Sequence, residues 1–397
     1  MLKDISVSAV VAGLIAVMIS YAGPALIVFQ AGNAAGLSTG QMASWVWAIS
    51  LGSGLSGLWL SYRFKAPVIT AWSTPGAALL LTTLGTVSYP QAIGAFMFAG
   101  LLILLLGWSG GFDRLMHWIP KEIAAAMLAG ILFRFVAEVF LGLKGAPMLV
   151  LPMFLIFLVL RKALPRYAIP LTLLSGILIA AAMGLLHADL LRDVLQPSLV
   201  RPVWTTPEGS LQAMISLGLP LALVTMSGQF VPGIAVMRQA AFDTPAKPMV
   251  IATSLASVCL APFGAHGINL AAITAAICTG RDAHEHADKR YIAGLVAGLA
   301  YVLIGLCGGT LVLLFAALPK ALVATIAGLA LLGALMTGLA TAMGHEQRRE
   351  SALITFVVTA SGMTFLGFGA PFWGLVAGML AKGCLEATGL RLALKQG

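Results

Sequence analysis

Pro67-Val-Ile-Thr-Ala-Trp72-Ser73-Thr74-Pro75-Gly76-Ala-Ala-Leu-Leu opens on a proline and β-branched residues, then turns into a helix start. The Thr74 hydroxyl is a good N-cap, Pro75 suits the first helical position, and helix formers follow. A second stretch has the same form: Pro262-Phe-Gly-Ala-His266-Gly267-Ile-Asn269-Leu-Ala-Ala-Ile. Asn269, another good cap, stands where Thr74 stands. Each stretch reads as an extended half followed by a half-helix. Roughly seven extended residues and nine helical ones reach about 37 Å, enough to cross about 30 Å of hydrocarbon. Extended backbone survives at that depth only when buried in protein or lining a polar cavity. Two half-helix N-termini then meet near the midplane, each with free N–H groups and a partial positive charge. That is a site for an anion built without an arginine.

The rest of the chain fits a membrane setting. Of 397 residues, 60% are hydrophobic and 9% charged, against about a quarter charged in a soluble domain. Cys259, Cys278, Cys307 and Cys384 stand singly in apolar surroundings, which supports neither a zinc module nor a disulfide framework. The net charge of +9 is scattered over short loops, so it speaks for topology and against nucleic acid as a partner; membrane lipid is the expected surround. Lys3 and Asp4 lead directly into an apolar stretch from Ile5 to Phe29, too long for a cleaved signal. Hydropathy predicts fourteen segments, at 6–30, 41–61, 67–84, 89–107, 120–142, 146–163, 168–186, 210–237, 247–261, 264–280, 289–315, 319–341, 350–367 and 370–388.

The chain also repeats itself. Tyr21-Ala-Gly-Pro24 matches Gln229-Phe-Val-Pro232, Ala66-Pro67 matches Ala261-Pro262, Ile119-Pro120-Lys121 matches Leu318-Pro319-Lys320, and Ala168-Ile-Pro170 matches Ala370-Pro371. The matches keep their order. They divide the chain into 1–190 (segments 1–7), an outer connecting loop at 191–209, and 210–397 (segments 8–14). Seven is odd, so the second half enters inverted, the arrangement by which secondary transporters exchange inward and outward shapes. With the N-terminus in the cytoplasm, eighteen Lys and Arg fall inside and four (Lys144, Arg192, Arg201 and Lys320) outside, with Arg134 within a helix. That is a strong positive-inside bias and puts both termini in the cytoplasm of a bacterial inner membrane.

The Ala66–Gly76 pattern, the Tyr21-Ala-Gly-Pro24 helix and the Gln229-Phe-Val-Pro232-Gly233 helix resemble the bacterial benzoate/proton symporters, the BenE family. The resemblance spans essentially the whole chain. It is similar, more distantly, to nucleobase permeases such as the uracil permease. The resemblance implies an all-α fold of 7+7 inverted repeats, with segments 1–4 and 8–11 as a core domain and 5–7 and 12–14 as a gate. It implies import of benzoate or a similar small aromatic carboxylate with protons as the coupling ion and no other cofactor, and it admits a homodimer. Nucleobase permeases tend to carry a glutamate on segment eight. Here that place is held by Gln229, which disfavours a nucleobase and suits an anion that a buried carboxylate would repel.

Candidate site residues follow. For the substrate they are Tyr21, Trp72, Ser73, Thr74, Gly76, Gln229, Gly267 and Asn269. Tyr21 and Gln229 each precede a helix-breaking proline by three residues, and Trp72 can stack on a ring; interhelix hydrogen bonding and plain packing are the competing roles. For proton coupling, His266 is the imidazole in the unwound stretch, against a purely hydrogen-bonding role. Arg134 and Glu138, spaced i, i+4, are expected to neutralise each other and stand in reserve as a proton shuttle or gate. Trp45 and Trp47 read as lipid-facing or packing residues, and His284-Glu-His286 as a charged loop and not a metal site. No phosphate-binding loop permits direct ATP drive, and no HExxH or Ser/His constellation supports an intramembrane enzyme. A nucleobase or other anion permease of the same fold, or an anion channel, remain the alternatives.

Overall fold

The computed structural model describes residues 4–110, 120–186, 199–281, 283–366 and 368–396. Lys3, Arg114, Arg192 and the first part of the connecting loop lie outside the described residues. Helix dominates. Among the described residues seven helical runs are long and apolar enough to cross a membrane: Val7–Ala34, Tyr89–Ser109, Lys121–Lys144, Leu211–Arg238, Ala246–Phe263, Ala287–Leu306 and Lys320–Ala342. The chain is a multi-pass membrane protein.

In chain order the helices are α1 (Val7–Ala22), α2 (Pro24–Ala34), α3 (Thr39–Phe64), α4 (Thr74–Thr83), α5 (Tyr89–Ser109), α6 (Lys121–Leu141), α7 (Pro147–Ala163) and α8 (Ala168–Ala182). Three short helices then continue one rod: α9 (Leu211–Ala213), α10 (Leu219–Thr225) and α11 (Val231–Gln239). They are followed by α12 (Ala246–Leu260), α13 (Ile273–Thr279), α14 (Tyr291–Leu306), α15 (Gly308–Ala316), α16 (Lys320–Ala342), α17 (Arg349–Ala360) and α18 (Ala370–Gln396). Strand β1 (Thr70–Trp72) precedes α4, β2 (Ile268–Leu270) precedes α13, and the hairpin β3 (Thr364–Phe365) and β4 (Phe368–Gly369) joins α17 to α18.

The two stretches that open the sequence reading do break as expected, and their extended halves pair with each other. β1 runs antiparallel to β2, with Thr70 opposite Leu270, Ala71 opposite Asn269 and Trp72 opposite Ile268. This solves the hydrogen-bonding problem of bare backbone in lipid: each strand satisfies the other. The ladder is extended at both ends by Ser73 N–H to Gly267 O (2.9 Å) and Ala271 N–H to Ile69 O (2.9 Å).

The rod α9–α11 carries two π-turns, Met214–Gly218 and Met226–Phe230. Their cause is local. Leu219 and Val231 donate five residues back, to Met214 and Met226, and each is followed by a proline that cannot donate. π-turns inside α-helices are frequent at functional sites.

Helix packing falls into two groups. α3 lies along α14, α5 along α12 and α1 along α14. Separately, α6 lies along α16 and α17, and α17 along α18. Glycine sets the closest approach: a Cβ on Gly298 would come within 2.9 Å of the Gly54 carbonyl, and one on Gly54 within 2.7 Å of the Gly298 carbonyl. Backbones meet there without side chains between them. In the second group Glu122, fully buried, takes a 3.1 Å ion pair from Arg348 and ties the start of α6 to the start of α17. The described end of the connecting loop is clamped to the first group through Val200 N–H to Leu306 O, Thr205 N–H to Pro262 O and Glu208 N–H to Pro90 O.

Candidate functional site at the strand crossing

The crossing of β1 and β2 brings most of the expected site residues together, with changed roles. Ser73, not Thr74, caps α4: its Oγ accepts from Gly76 N–H at 3.0 Å. Thr74 is the first helical residue and Pro75 the second, one position later than the sequence reading placed them. Adjacent hydroxyls make either residue a plausible cap; the backbone of Ser73, already held by Gly267, decides it. Ser73 Oγ also shares a 2.8 Å hydrogen bond with Thr225 Oγ1 at the end of α10.

Asn269 requires a larger correction. It is a strand residue, not the cap of α13, which begins at Ile273 without a capping side chain. β1 starts at 70 and β2 at 268, α4 at 74 and α13 at 273, so Thr74 corresponds to Ile273. The Asn269 amide is fully buried, its oxygen facing Ser73 N–H at 3.0 Å and its nitrogen the Leu270 carbonyl at 3.1 Å. It holds the crossing together. α13, with seven residues, is a weaker source of N-terminal field than α4, because aligned peptide dipoles sum along the helix.

Gly267 sits at φ +154, a backbone state that glycine enters readily and other residues rarely do. Its carbonyl thereby reaches Ser73. Gly264, at φ +109, lets the turn approach α3: a Cβ there would lie 3.0 Å from the Trp45 Cα.

His266 is 1% exposed and both ring nitrogens are engaged. Trp45 Nε1–H donates to Nδ1 at 3.0 Å, and Nε2 lies 3.0 Å from the Ser73 carbonyl. Since Nδ1 must accept, the ring is neutral with its proton on Nε2, donated to Ser73. Trp45 is therefore neither lipid-facing nor mere filling; it ties α3 to the turn before β2.

The aromatic residues lie behind the crossing. Tyr21 (7% exposed), Trp72 (1%) and Tyr301 (1%) form a triangle with ring centroids 5.2, 5.8 and 5.9 Å apart. Tyr21 bonds to the Ser50 hydroxyl, and Tyr301 donates to Ser20 Oγ at 2.6 Å. Trp72 Nε1 is buried with no partner in the described structure. Tyr301, Ser50 and Thr225 were not singled out from sequence. They are single residues far along the chain, and no local spacing marks them.

What remains accessible is a small patch. Thr74, Ser227, Gly228, Gln229, Gly267 and Ala272 are each half-buried. Gly228 sits over the start of α4, with room for a Cβ only 3.0 Å from Pro75 Cγ. Gln229 thus rides on the second π-turn beside α4. Of the first N–H groups of α4, Pro75 has none, Gly76 is taken by Ser73, and Thr74 N–H has no hydrogen-bond partner among the described residues. The patch offers one free backbone donor, a helix N-terminus and an amide side chain. Between Ile5 and Ser109 there is no acidic residue.

Arg134 and Glu138 are elsewhere. Both are exposed on α6, and no ion pair joins them among the described residues, which corrects the expected mutual neutralisation. The Arg134 guanidinium instead lies against Gly362, at φ +65, where a Cβ would overlap it.

Comparison with known proteins agrees with this architecture. The family described as benzoate membrane transport protein (BenE) matches residues 3–384. A benzoate membrane transport protein of Acinetobacter baylyi (strain ATCC 33305 / BD413 / ADP1) is 48% identical over 379 residues, 96% of this chain and 95% of that protein. The inner membrane protein YdcO of Escherichia coli (strain K12) is 44% identical over 368 residues, 92% and 93% of the two chains. Among solved structures, the transmembrane domain of the cyanobacterial bicarbonate transporter BicA superposes with a TM-score of 0.60 at 14% identity, covering 94% of this chain and 96% of that one. SLC26A9 superposes with a TM-score of 0.61 at 15% identity, covering 100% and 66%. These two likenesses establish the shared membrane-transporter fold.

Proposed function

This chain belongs to the benzoate membrane transport protein family and is a membrane transporter rather than an enzyme, and from that premise we propose that it imports benzoate or a similar small aromatic carboxylate together with a proton across a bacterial inner membrane. The observation that carries the proposal is the accessible patch at the crossing. It presents the Thr74 N–H and the positive end of α4 beside Gln229, in a group of helices without a carboxylate to repel an anion. The substrate carboxylate takes the Thr74 N–H and the field of α4. Its ring lies along Gly267 and Gln229, with Tyr21 and Trp72 as the wall behind; Ser73, Gly76 and Asn269 shape the site from within.

The finer architecture belongs to the same proposal. Fourteen segments in two inverted repeats account for the paired breaks at β1 and β2, with both termini in the cytoplasm. The two packing groups suit a core domain that holds the crossing and a gate domain built on α6 and α16–α18. Movement of one group against the other then exposes the patch to alternate sides.

Coupling follows from charge. A benzoic carboxyl resembles Glu, with a pKa near ~4.3, so the substrate is an anion at neutral pH. A negative-inside potential opposes its entry by about 2.3 kcal/mol per 100 mV. One accompanying proton cancels that cost and adds the pH gradient. His266 is the proposed carrier: it binds the carbonyl of Ser73, one residue from the carboxylate's donor.

The test is reconstitution into liposomes with labelled benzoate. An inward proton gradient is expected to drive accumulation, and unlabelled benzoate preloaded inside is expected to accelerate entry of label. Aromatic acids should compete and uracil should not. Entry of label that preloading does not accelerate would indicate a channel, and competition by uracil alone would indicate a nucleobase permease.

A further inference from the structure

Two arginines and two glycines repeat one arrangement in the two halves of the chain. Arg134 stands thirteen residues after Lys121 on α6, and Gly333 stands thirteen residues after Lys320 on α16. Pro120-Lys121 and Pro319-Lys320 are themselves a repeat match, so the two positions correspond. The turn from α17 to α18 brings Gly362 against the Arg134 guanidinium. The turn from α7 to α8 brings Arg161 against Gly333, where a Cβ would lie 3.6 and 3.9 Å from its two terminal nitrogens. In each half a shorter pair of helices turns back beside the thirteenth residue of a long one.

At the α7–α8 turn the result is a recess. α16 has 23 residues and α7 has 17. Ala146, before α7, and Ala321, at the start of α16, border one apolar cluster, so the two helices begin at the same level. Ala168, just past the turn, is buried in that cluster with Leu329. α16 continues nine residues past Gly333, about 14 Å. This last part is uncovered: Met336 is 62% exposed, and Thr337 and Ala340 are exposed. Thr337 and Thr341 follow Gly333 at one and two turns on the same face, each hydroxyl donating one turn back. Polar side chains on that face contrast with Leu155, Leu158 and Val159, the exposed residues of α7.

The recess holds cations without anions. Arg161 and Lys162 are exposed, and Arg166 stands on the turn. Helical side chains slope toward the helix N-terminus, so Arg161 turns into the membrane, its guanidinium carbon 5.8 Å from the Phe157 ring centroid. A ring face offsets only part of the cost of a guanidinium at that depth. No carboxylate pairs with Arg161 among the described residues. At the Arg134 turn, by contrast, the exposed Glu138 stands one helical turn on and disfavours an anion.

We propose that the recess at the α7–α8 turn binds the phosphate of an anionic phospholipid, drawn inward from the headgroup layer to Arg161 and Lys162. The Arg161 fork donates to the phosphate oxygens, and Lys162 adds a second positive charge. The acyl chains lie along Leu155, Leu158 and Val159. The bilayer thins locally to meet the short hairpin, a modest cost over a few ångströms. In the orientation proposed above this is the cytoplasmic leaflet, whose anionic lipids attract basic segments. The site does not depend on what the protein carries.

The experiment is native mass spectrometry of the purified protein, loaded with equimolar phosphatidylglycerol and phosphatidylcholine. The parent is expected to retain phosphatidylglycerol in preference, and Arg161→Gln and Lys162→Gln each to lose about fivefold of that preference. Lys162→Gln changes only an exposed side chain and reads the site even where Arg161→Gln fails to fold. Lys247→Gln, which removes an exposed charge from the start of α12, should keep the parent's preference. Inorganic phosphate in large excess should leave the lipid in place. A parent-like preference in both recess variants, an equal loss in Lys247→Gln, or displacement of the lipid by inorganic phosphate overturns the proposal.

Discussion

Thr74→Pro is expected to weaken benzoate binding by about tenfold or more while leaving the helix it begins intact. The substitution removes one atom that matters, the hydrogen on the Thr74 nitrogen. Proline is well tolerated in the first turn of a helix, because its fixed φ suits the position and its missing donor has no helical partner there. Ser73, the residue before it, is at φ −72 and ψ 99, in the extended region that a following proline prefers. The Ser73 cap on Gly76 N–H does not involve residue 74. A charged hydrogen bond is worth about 1.5–3 kcal/mol, which sets the expected loss. Thr74→Val is the control: it keeps the N–H, loses the hydroxyl, and should bind benzoate within about threefold of the parent if the side chain contributes only a neutral hydrogen bond. Equilibrium binding and a thermal melt on both variants read the result. Equal affinity in the two variants would place the carboxylate away from this nitrogen.

The second large effect concerns His266→Gln, expected to abolish accumulation against a gradient while exchange persists. Glutamine can reproduce both hydrogen bonds of the neutral ring, its oxygen accepting from Trp45 and its nitrogen donating to the Ser73 carbonyl, but it takes up no proton. In the parent a proton on Nδ1 breaks the Trp45 bond, since two donors then face each other. A buried imidazolium is unfavourable alone. A carboxylate at Thr74 changes the balance: at about 7 Å and an effective dielectric of about 20, opposite charges attract by about 2 kcal/mol. Each ligand therefore favours the other by the same factor, which is the thermodynamic content of symport. Loss of the Trp45 bond on protonation also links the proton to the contact between α3 and the turn before β2. His266→Ala is a poorer probe, because it strands the Trp45 donor and the Ser73 carbonyl in the interior, at about 1–3 kcal/mol each. If His266→Gln still concentrates benzoate as the parent does, the proton travels elsewhere and Glu138 is next to be tested.

Much of this site was legible in the sequence because prolines and glycines state where a helix cannot continue. Pro67, Pro75, Pro262, Gly264 and Gly267 mark both breaks, and hydroxyls at 73 and 74 mark the restart. The single-residue error at the cap arose because serine and threonine serve equally well there; a bond from Gly267, nearly two hundred residues away, chooses between them. Asn269 was misplaced for a related reason. An amide that caps a helix also bridges two backbones, and the second use depends on a partner strand that local spacing does not reveal. The link from Trp45 to His266 is of the same kind, with no periodicity to announce it. At Arg134 and Glu138 the i, i+4 rule gave a local answer that tertiary structure overrode, because the glycine turn at 362 offers the guanidinium another place. The membrane setting, by contrast, follows from composition alone, since no arrangement of a 60% hydrophobic chain this long has enough polar surface to face water on all sides.

The most direct measurement is a structure with 4-bromobenzoate bound, its bromine located by anomalous scattering. The carboxylate is expected within about 3.5 Å of the Thr74 nitrogen, at hydrogen-bond distance, with the bromine on the side of Gln229. A carboxylate found more than a helix diameter, about 10 Å, from that nitrogen, with the strand crossing empty, would contradict a transporter that holds its substrate on the end of a half-helix.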